Sequence, residues 1–487
     1  IITKIEEYFV KSNPQYKKLL PFFKKYSIKD LKLPIIKVSP EISESGYVFR
    51  YSKNDLQRIK AEGIELLVRC GSGILRGEVL NICEKGIISF HHADNRVNRG
   101  SPPGFWEVLE RQKSTGFIIQ ILNDELDGGD VLFRGNIATS YLYTLNKIKL
   151  YRRANIFMHK TLENLFEDTG QRRFYKKEPY FHMLYRLPSL AKQSEYILKT
   201  GFHILKKVIR KIFDKRLRWS VAYQFIDEWR GAALWKSKVI ENPPNRFLAD
   251  PFILFHEDKH YCFLEDYNYS SQKGRISVYE INYSGEKDLG VALEEDFHLS
   301  YPYLIKDNNN LYMCPETHDT RDIRIYKCID FPNKWELEKI LITDVTAADT
   351  SIFKIDSKWW MLTNIDTSNI GDHDSELHIF SAEELLSDKW TPHPLNPVLF
   401  DSRRARNGGF IADKGKIYRV FQKQGWDLYG EAFGVAEITE INGDDYQEEV
   451  IFEVSPKFHN KAIGTHTLNY QRGLLATDFL VFSDIKK

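Results

Sequence analysis

Two side chains in the first third of the chain have the types and spacing for acid/base chemistry. His91 follows the apolar run 86–90 and opens a polar loop that reaches Gly100. Asp127 stands 36 residues further on, within Leu126-Asp127-Gly128-Gly129-Asp130, after a second apolar run at 117–122. A histidine and a carboxylate at the ends of neighbouring strands make a proton-transfer pair. Imidazole gains and loses a proton near neutral pH, and a carboxylate can take a proton or orient the ring. The plainer alternative is a histidine capping a strand and an aspartate making a Gly-Gly turn.

A second group of candidates lies in the C-terminal half, where one motif recurs. Asp250-Pro251-Phe252, Tyr301-Pro302-Tyr303, Asp349-Thr350-Ser351, Gly408-Gly409-Phe410 and His466-Thr467-Leu468 follow one another at steps of 51, 48, 59 and 58 residues. Each of the first four leads through a polar turn into a second apolar strand, and the fifth into a weaker version. Repeats of this length suit four-stranded blades, so five units predict a five-bladed β-propeller. A sandwich would not repeat the same strand pair.

The innermost strand of a blade faces the central channel. That places Asp250, Asp349 and His466 together, with Glu265 and Glu316 closing the second strands of the first two blades. Two aspartates and a glutamate are the groups glycoside acid/base chemistry uses. The same groups could bind sugar hydroxyls or tie down blade turns. Arg406, in Arg403-Arg404-Ala405-Arg406, could meet a phosphate or carboxylate of a ligand, or be solvated surface.

The elements that would position the first pair alternate in type. Strand-like runs at 33–38, 46–50, 63–69 and 86–90 are interleaved with a helix at 54–62, capped by Asn54, and a short helix at 78–83. This predicts a doubly wound α/β domain over residues 1–145. Ligands of such sheets bind beyond the carboxyl ends of the strands, where His91 and Asp127 fall. Gly71-Ser72-Gly73 is a weak phosphate-loop signal and reads more simply as a strand-to-helix turn.

Residues 146–218 are predicted to be a basic helical connector, followed by the propeller over 219–487. The segment 191–217 carries eight Lys/Arg against two acids, and Leu198, Phe202, Leu205, Val208, Ile209 and Ile212 recur at helical spacing. It reads as an amphipathic helix packed between domains, or as a peripheral membrane contact or anionic-partner surface.

Composition narrows the classes. A chain of 487 residues has room for two or three domains, and 42% apolar with 28% charged residues is ordinary for a globular protein. A formal charge of +2 gives no reason to expect nucleic acid. Aromatic residues at 14% suit β-structure or a carbohydrate surface. The five cysteines form no Cys-x-x-Cys, so neither a metal site nor a disulfide framework is expected, and a reducing cytoplasm is the simplest setting. No run of about 18 apolar residues occurs. The sequence opens on Ile1 rather than Met, from which a missing N-terminal piece, with a first strand, is expected.

Taken together, Ser89-Phe90-His91, Arg99-Gly100, Thr115-Gly116 and Leu126-Asp127-Gly128-Gly129-Asp130 resemble the folate-dependent formyltransferase family. That family includes methionyl-tRNA and sugar N-formyltransferases. The likeness covers roughly residues 30–140 and includes the His91-to-Asp127 spacing. It implies 10-formyltetrahydrofolate as formyl donor and an amine as acceptor, with His91, Asp127 and Ser89 at catalytic positions. It further implies Gly73, Ile74, Leu75, Arg99 and Leu126 along the donor site. Ser89 stands where the family has Asn, and the polar Asp94-Asn95-Arg96 replaces its Leu-Leu-Pro.

The second half, through Phe247–Phe252, 298–303, Pro315-Glu316-Thr317 and 464–469, is similar to the propeller of plant glucosamine inositolphosphorylceramide transferases and of bacterial formyltransferase fusions. More loosely it resembles the five-bladed family-43 glycosidases. By this likeness Asp250, Glu316, Asp349, Arg406 and His466 would bind a glycan. The combined expectation is an N-formyltransferase acting on a nucleotide-linked or polysaccharide amino sugar. The alternatives are a propeller glycosidase or glycosyl-transfer enzyme with a vestigial first domain, and a non-catalytic glycan scaffold.

Overall fold

The computed structural model describes residues 2–24, 27, 30, 32–71, 73–166, 175–213 and 215–484; Ser72 of the glycine loop lies outside the described residues. The chain divides into two units, Ile1–Gly201 and Phe202–Lys487.

The first unit contains strands β1 (Glu41–Ile42), β2 (Val48–Arg50), β3 (Leu67–Arg69), β4 (Ile74–Leu75), β5 (Ile87–His91), β6 (Arg99–Gly100), β7 (Ser114–Ile121), β8 (Asp130–Ala138) and β9 (Leu184–Tyr185). They form sheets in the orders β1-β2-β4 and β3-β5-β7-β8, plus the pair β6-β9. β3 is parallel to β5 and β2 to β4, but β5 and β7 are antiparallel, as are β7 and β8. The doubly wound sheet expected from the alternation is thus a mixed sheet. The reason is local: β7 and β8 are joined by the short turn 122–129, and only antiparallel strands can be joined without a crossover.

The core of this sheet is the run Phe117-Ile118-Ile119, wholly buried, each side chain worth about 1.5–3 kcal/mol of burial. The helices are α1 (Ile2–Ser12), α2 (Lys53–Ala61), α3 (Phe105–Leu109) and α4 (Tyr143–Phe166), and α5 (Leu190–Ile212) begins in this unit and ends in the second. α4 lies against β7 and buries Leu150, Ala154 and Phe157. α2 starts one turn-position earlier than expected, because Ser52 rather than Asn54 caps it: Ser52 Oγ accepts from the Asp55 amide at 3.2 Å. α5 ends at Ile212, short of the helical stretch expected to reach Leu217.

The second unit consists of five antiparallel sheets in sequence order. The first strands of four blades are Arg246–His256, Ser300–Asp307, Ala347–Ile355 and Asn407–Asp413, and Leu468–Gln471 is the inner strand of the fifth. Each contacts the next, and Leu468–Gln471 contacts Arg246–His256, which closes the ring. The fifth blade is composite. Its strand Leu474–Asp484 pairs along its length with Lys215–Phe225, from Lys215 opposite Asp484 to Phe225 opposite Leu474. One blade is therefore built from both ends of the unit.

The repeated motif has a repeated backbone. The first strands of blades one to four each break register at the motif, between Ala249 and Phe252, Ser300 and Tyr303, Ala348 and Ser351, and Asn407 and Gly409. Asp250, Tyr301 and Asp349 take left-handed φ values of 48°, 46° and 48°. Such conformations cost on the order of 1–3 kcal/mol each for non-glycine residues. The bulge re-aims these side chains out of the pleat, so the same strained turn gathers groups from successive blades.

Candidate functional site

In the first unit the structure brings His91 and Asp127 together. β7 runs antiparallel to β5, with Ile121 opposite Ile88, so its carboxyl end lies about 10 Å from His91 along the strand. The 122–129 turn folds back to cover that distance. Asn95 Nδ2 donates to the Asp127 carbonyl at 2.8 Å, while Arg99 Nη1 donates to Glu125 Oε1 at 2.7 Å and to the Leu126 carbonyl at 3.3 Å. Asp127 itself sits at φ 50°. Gly129 has no room for a side chain, since a Cβ there would overlap the Ile121 carbonyl. Gly116 is constrained in the same way: a Cβ would come within 2.7 Å of the Asp94 backbone nitrogen.

The resulting contact places His91 Nδ1 3.4 Å from Asp127 Oδ1, with the histidine 7% and the aspartate 22% exposed. On its other side His91 Nε2 lies 2.8 Å from the Asn98 carbonyl. A carbonyl only accepts, so Nε2 carries the hydrogen and Nδ1 faces the carboxylate. Asn98 is itself held, its Nδ2 donating to Glu107 Oε1 at 2.9 Å. Glu107 is buried, which pushes its pKa up, and its Oε2 has no hydrogen-bond partner among the described residues. Neither Asn98 nor Glu107 stood out in the sequence, because an Asn and a Glu on a loop and a short helix carry no motif.

Ser89 is placed otherwise than its sequence position suggested. Its Oγ donates to the Phe90 carbonyl at 3.1 Å and accepts from Arg69 Nη1 at 3.3 Å. Its hydrogen is committed within the chain, and the group that stands beside the pair is Arg69. That guanidinium also donates to the Gly73 carbonyl and feels the charge of Asp127. Arg69 is a further residue the sequence did not single out.

Arg99 spends its donors on the Asn95 carbonyl and the 125–126 turn, so it positions the Asp127 loop, as Leu126 does through its carbonyl. Ile74 and Leu75 form β4, the edge of its sheet. The Ile74 amide donates to the Tyr47 carbonyl at 2.6 Å, and the alternation of a strand turns the Leu75 amide and carbonyl to the outer edge, where Arg76 Nη1 donates to that carbonyl at 3.4 Å. Gly73 packs under the Phe49 ring. In the polar loop, Asp94 is held below its usual carboxylate range: burial opposes this, but Arg96 and Arg134 outweigh it. Burial and the neighbouring His91 push His92 down to about 3, and its ring packs on Phe90 and Tyr151.

In the propeller all five predicted residues fall among buried channel groups, but in two chemically different sets. Arg406 is the hub of the first. Its Nε donates to Asp349 Oδ2 at 2.6 Å, Nη1 to Asp374 Oδ1 at 3.2 Å and Nη2 to Glu316 Oε2 at 3.3 Å. Solvated surface is ruled out for Arg406 by this burial. Gln422 Nε2 adds a donor to Asp349 at 2.8 Å, and His318 Nδ1 lies 2.8 Å from Glu316 Oε1. Burial raises both carboxyls, and Arg406 and His318 pull Glu316 back down below its usual range while Asp349 stays high.

The second set centres on His466. Its ring stacks on Trp219 at 3.9 Å; Nδ1 lies 2.6 Å from Asp478 Oδ2 and Nε2 3.5 Å from Asp250 Oδ1. Asp478 also accepts from Thr467 Oγ1 and the amides of His466 and Thr467. It is thereby kept low against its burial, and His466 is raised by the two aspartates against its own. Asp250 is the less satisfied carboxyl: burial pushes it up to about 6, with His466 opposing. Glu265, which lies opposite Ala249 within the adjoining strand Lys259–Asn268 rather than closing it, is raised well above its usual value by burial and by Asp250. His298 Nε2 lies 3.7 Å from its Oε1. Asp250, His466 and Asp478 are also close enough to hold a cation, a possibility the sequence reading did not include. Asp374 and Asp478 lie outside the repeated motif and had no signal in it.

The chain therefore contains an α/β unit with a His/Asp pair and a β-unit of five blades around a cluster of buried carboxyls. Residues 234–476 match the family "Glucosamine inositolphosphorylceramide transferase 1, N-terminal". Over 211 residues the chain is 34% identical to glucosamine inositolphosphorylceramide transferase 1 of Oryza sativa subsp. japonica, covering 42% of this chain and 28% of that protein. The Arabidopsis thaliana protein of the same name is 32% identical over 218 residues, 43% of this chain and 28% of its own length. The chain thus spans less than a third of the curated relatives that resemble it in this way.

A methionyl-tRNA formyltransferase of Caldanaerobacter subterraneus subsp. tengcongensis is 27% identical over 240 residues, 47% of this chain and 74% of that protein. Among solved structures, a family 117 glycoside hydrolase of Zobellia galactanivorans aligns with TM-score 0.36 and 12% identity, covering 56% of this chain and 92% of its own. The catalytic domain of a Coprinopsis cinerea family 62 α-L-arabinofuranosidase aligns with TM-score 0.39 and 10% identity over 55% and 98%.

Proposed function

We propose that the chain is a glycan-modifying transferase that moves a formyl group from 10-formyltetrahydrofolate to the amine of an amino sugar, with the propeller holding the glycan. The observation that carries this reading is the His91–Asp127 contact of 3.4 Å across 36 residues of sequence. The residues fit the donor in one respect: β4 turns the Leu75 amide to its outer strand edge, a donor for the edge of a flat heterocycle. When bound, the donor supplies the activated formyl carbon. The acceptor amine must be neutral to attack it, and the proton it then sheds passes to the His91–Asp127 pair. Nδ1 and the carboxylate both face that position, with Nε2 anchored on Asn98. The new C–N bond replaces the donor's, and the leaving nitrogen takes the proton from the pair. Arg69 supplies positive charge for the oxygen that turns negative, a role Ser89, with its hydrogen on Phe90, does not fill.

The glycan end of the reading rests on the likeness to the inositolphosphorylceramide transferases and on a cavity of about 610 Å³ in the propeller. It is lined by Phe252, Tyr303, Phe353 and Phe410, with Asp413, Asn469 and Arg472 among its polar groups, and by none of Asp250, Glu316, Asp349, Arg406 and His466. Aromatic faces with a polar rim suit a sugar ring. Tetrahydrofolate release in the presence of nucleotide-linked amino sugars tests the proposal. Wild type should release it, and His91→Ala and Asp127→Asn should each lose about 10²-fold or more. Absence of release, or equal release by the variants, rejects it.

Asp250 and Glu265 favour a second reading, glycosidic acid chemistry in the channel. Both carboxyls are raised by burial, and among the described residues neither is in ion-pair contact with an arginine or lysine, Arg406 acting on Asp250 from further away. Glycan cleavage that survives Asp250→Asn and Glu265→Gln would remove it.

A further inference from the structure

A helix on a protein surface ordinarily turns its apolar stripe inward. α5 does the reverse. Leu190, Leu198 and Ile212 are 81%, 73% and 72% exposed, and Phe202, Leu205 and Ile209 between them are exposed as well. The side that meets the protein is polar or hydroxyl-bearing. Tyr196 is buried with its hydroxyl accepting from the Tyr143 amide at 2.9 Å, and His203 Nε2 lies 2.6 Å from Asp427 Oδ2. The outward stripe spans an arc of about 160° at 3.6 residues per turn, from Ile204 round to Phe202. It is bordered by Lys192, Lys199, Lys206, Arg210 and Lys211, with Glu195 the single acid on the helix.

We infer that α5 is a membrane-surface helix, which lies in the headgroup region of an anionic bilayer with its apolar arc in the acyl boundary. The arc is too wide for the narrow seam of a coiled coil, and two copies facing each other would set lysine and arginine against their like. An anionic lipid surface answers both features: it receives a broad apolar face, and its charge complements the cationic borders. The helix lies on the bilayer rather than crossing it, since no helix among the described residues is long and apolar enough to span.

The test is co-sedimentation of the full chain with vesicles of phosphatidylcholine alone or mixed equally with phosphatidylglycerol. Wild type should pellet with the mixed vesicles and be released by high salt. Leu198→Ser/Leu205→Ser/Ile209→Ser and Lys206→Glu/Lys211→Glu should each lower the partition coefficient about tenfold or more. Their melting temperatures should match wild type, because these side chains are exposed. Failure to pellet, equal pelleting with both lipid mixtures, or unchanged binding by either variant would overturn the inference. So would a wild-type dimer that the apolar variant dissociates while vesicles leave it untouched.

Discussion

Arg406 Nε donates to Asp349 Oδ2 at 2.6 Å, joining the fourth blade to the third across the propeller channel. The same guanidinium reaches Glu316 of the second blade and Asp374 of the third. Removing it leaves buried carboxyls without their cation, which typically costs about 3–5 kcal/mol. Arg406→Met should therefore lower the urea midpoint of the propeller strongly. Arg406→Met with Asp349→Asn should recover part of the loss, because one uncompensated charge goes with its partner. Equal midpoints for the single and double variants would show that the arginine matters through packing instead.

Asp250 offers a pH signature. Its carboxyl is raised from 3.8 to about 6 in the folded chain, so the folded state holds its proton more tightly than the unfolded one. The associated stability is fully present below pH 3.8 and is lost as pH rises through about 6. By that shift it is worth at most about 3 kcal/mol. Asp250→Asn should flatten this part of the profile and raise the melting temperature near pH 7 relative to wild type, with little difference near pH 4. Melting curves across that range, parallel for the two proteins, would count against it.

The repeat was legible because its backbone demands it. The bulge at Asp250, Tyr301 and Asp349 recurs in sequence as a short motif at nearly constant step, and its register predicted which side chains meet. His91 and Asp127 were legible for a similar reason, since Gly116, in β7 against the Asp94 loop, and Gly129, in the 122–129 turn, leave no space for a side chain. What did not show was anything set by the return of a distant segment. Glu107 holds Asn98 from α3, Arg69 reaches Ser89 from the neighbouring strand, and Lys215–Phe225 closes a blade begun by the last strand of the chain. The parallel sheet was overread because strand-like and helix-like runs alternate without recording direction. Only the brevity of the 122–129 connection argues that β7 and β8 are antiparallel.

Arg99 acts through the turn that carries Asp127. It binds the Asn95 carbonyl, Glu125 and the Leu126 carbonyl, and its own ring contact is Tyr180 at 4.7 Å. Arg99→Lys keeps the charge but cannot make the same fork of hydrogen bonds. If formyl transfer is the reaction, this variant should lower kcat about tenfold with a smaller change in KM, since the pair is displaced rather than the acceptor pocket. A variant with unchanged kcat and weakened substrate binding would instead place Arg99 against the substrate.

Closure of the fifth blade should govern the cooperativity of the propeller. Leu474–Asp484 lies between Lys215–Phe225 and Leu468–Gln471 and contributes Leu474, Leu475 and Ala476 to the buried core. Without it the inner strand Leu468–Gln471 loses its antiparallel partner, and Lys215–Phe225 becomes an unpaired edge next to the first blade. Ala476→Asp places a charge among Val221, Tyr223 and Leu248, all buried, and burying an unpaired carboxylate there costs several kcal/mol. Circular dichroism should show early, broadened unfolding of the β-signal in Ala476→Asp, while Lys215→Ala, at the exposed end of the same pairing, should unfold like wild type. Sharp unfolding of Ala476→Asp at the wild-type temperature would mean that four blades hold the ring without the fifth.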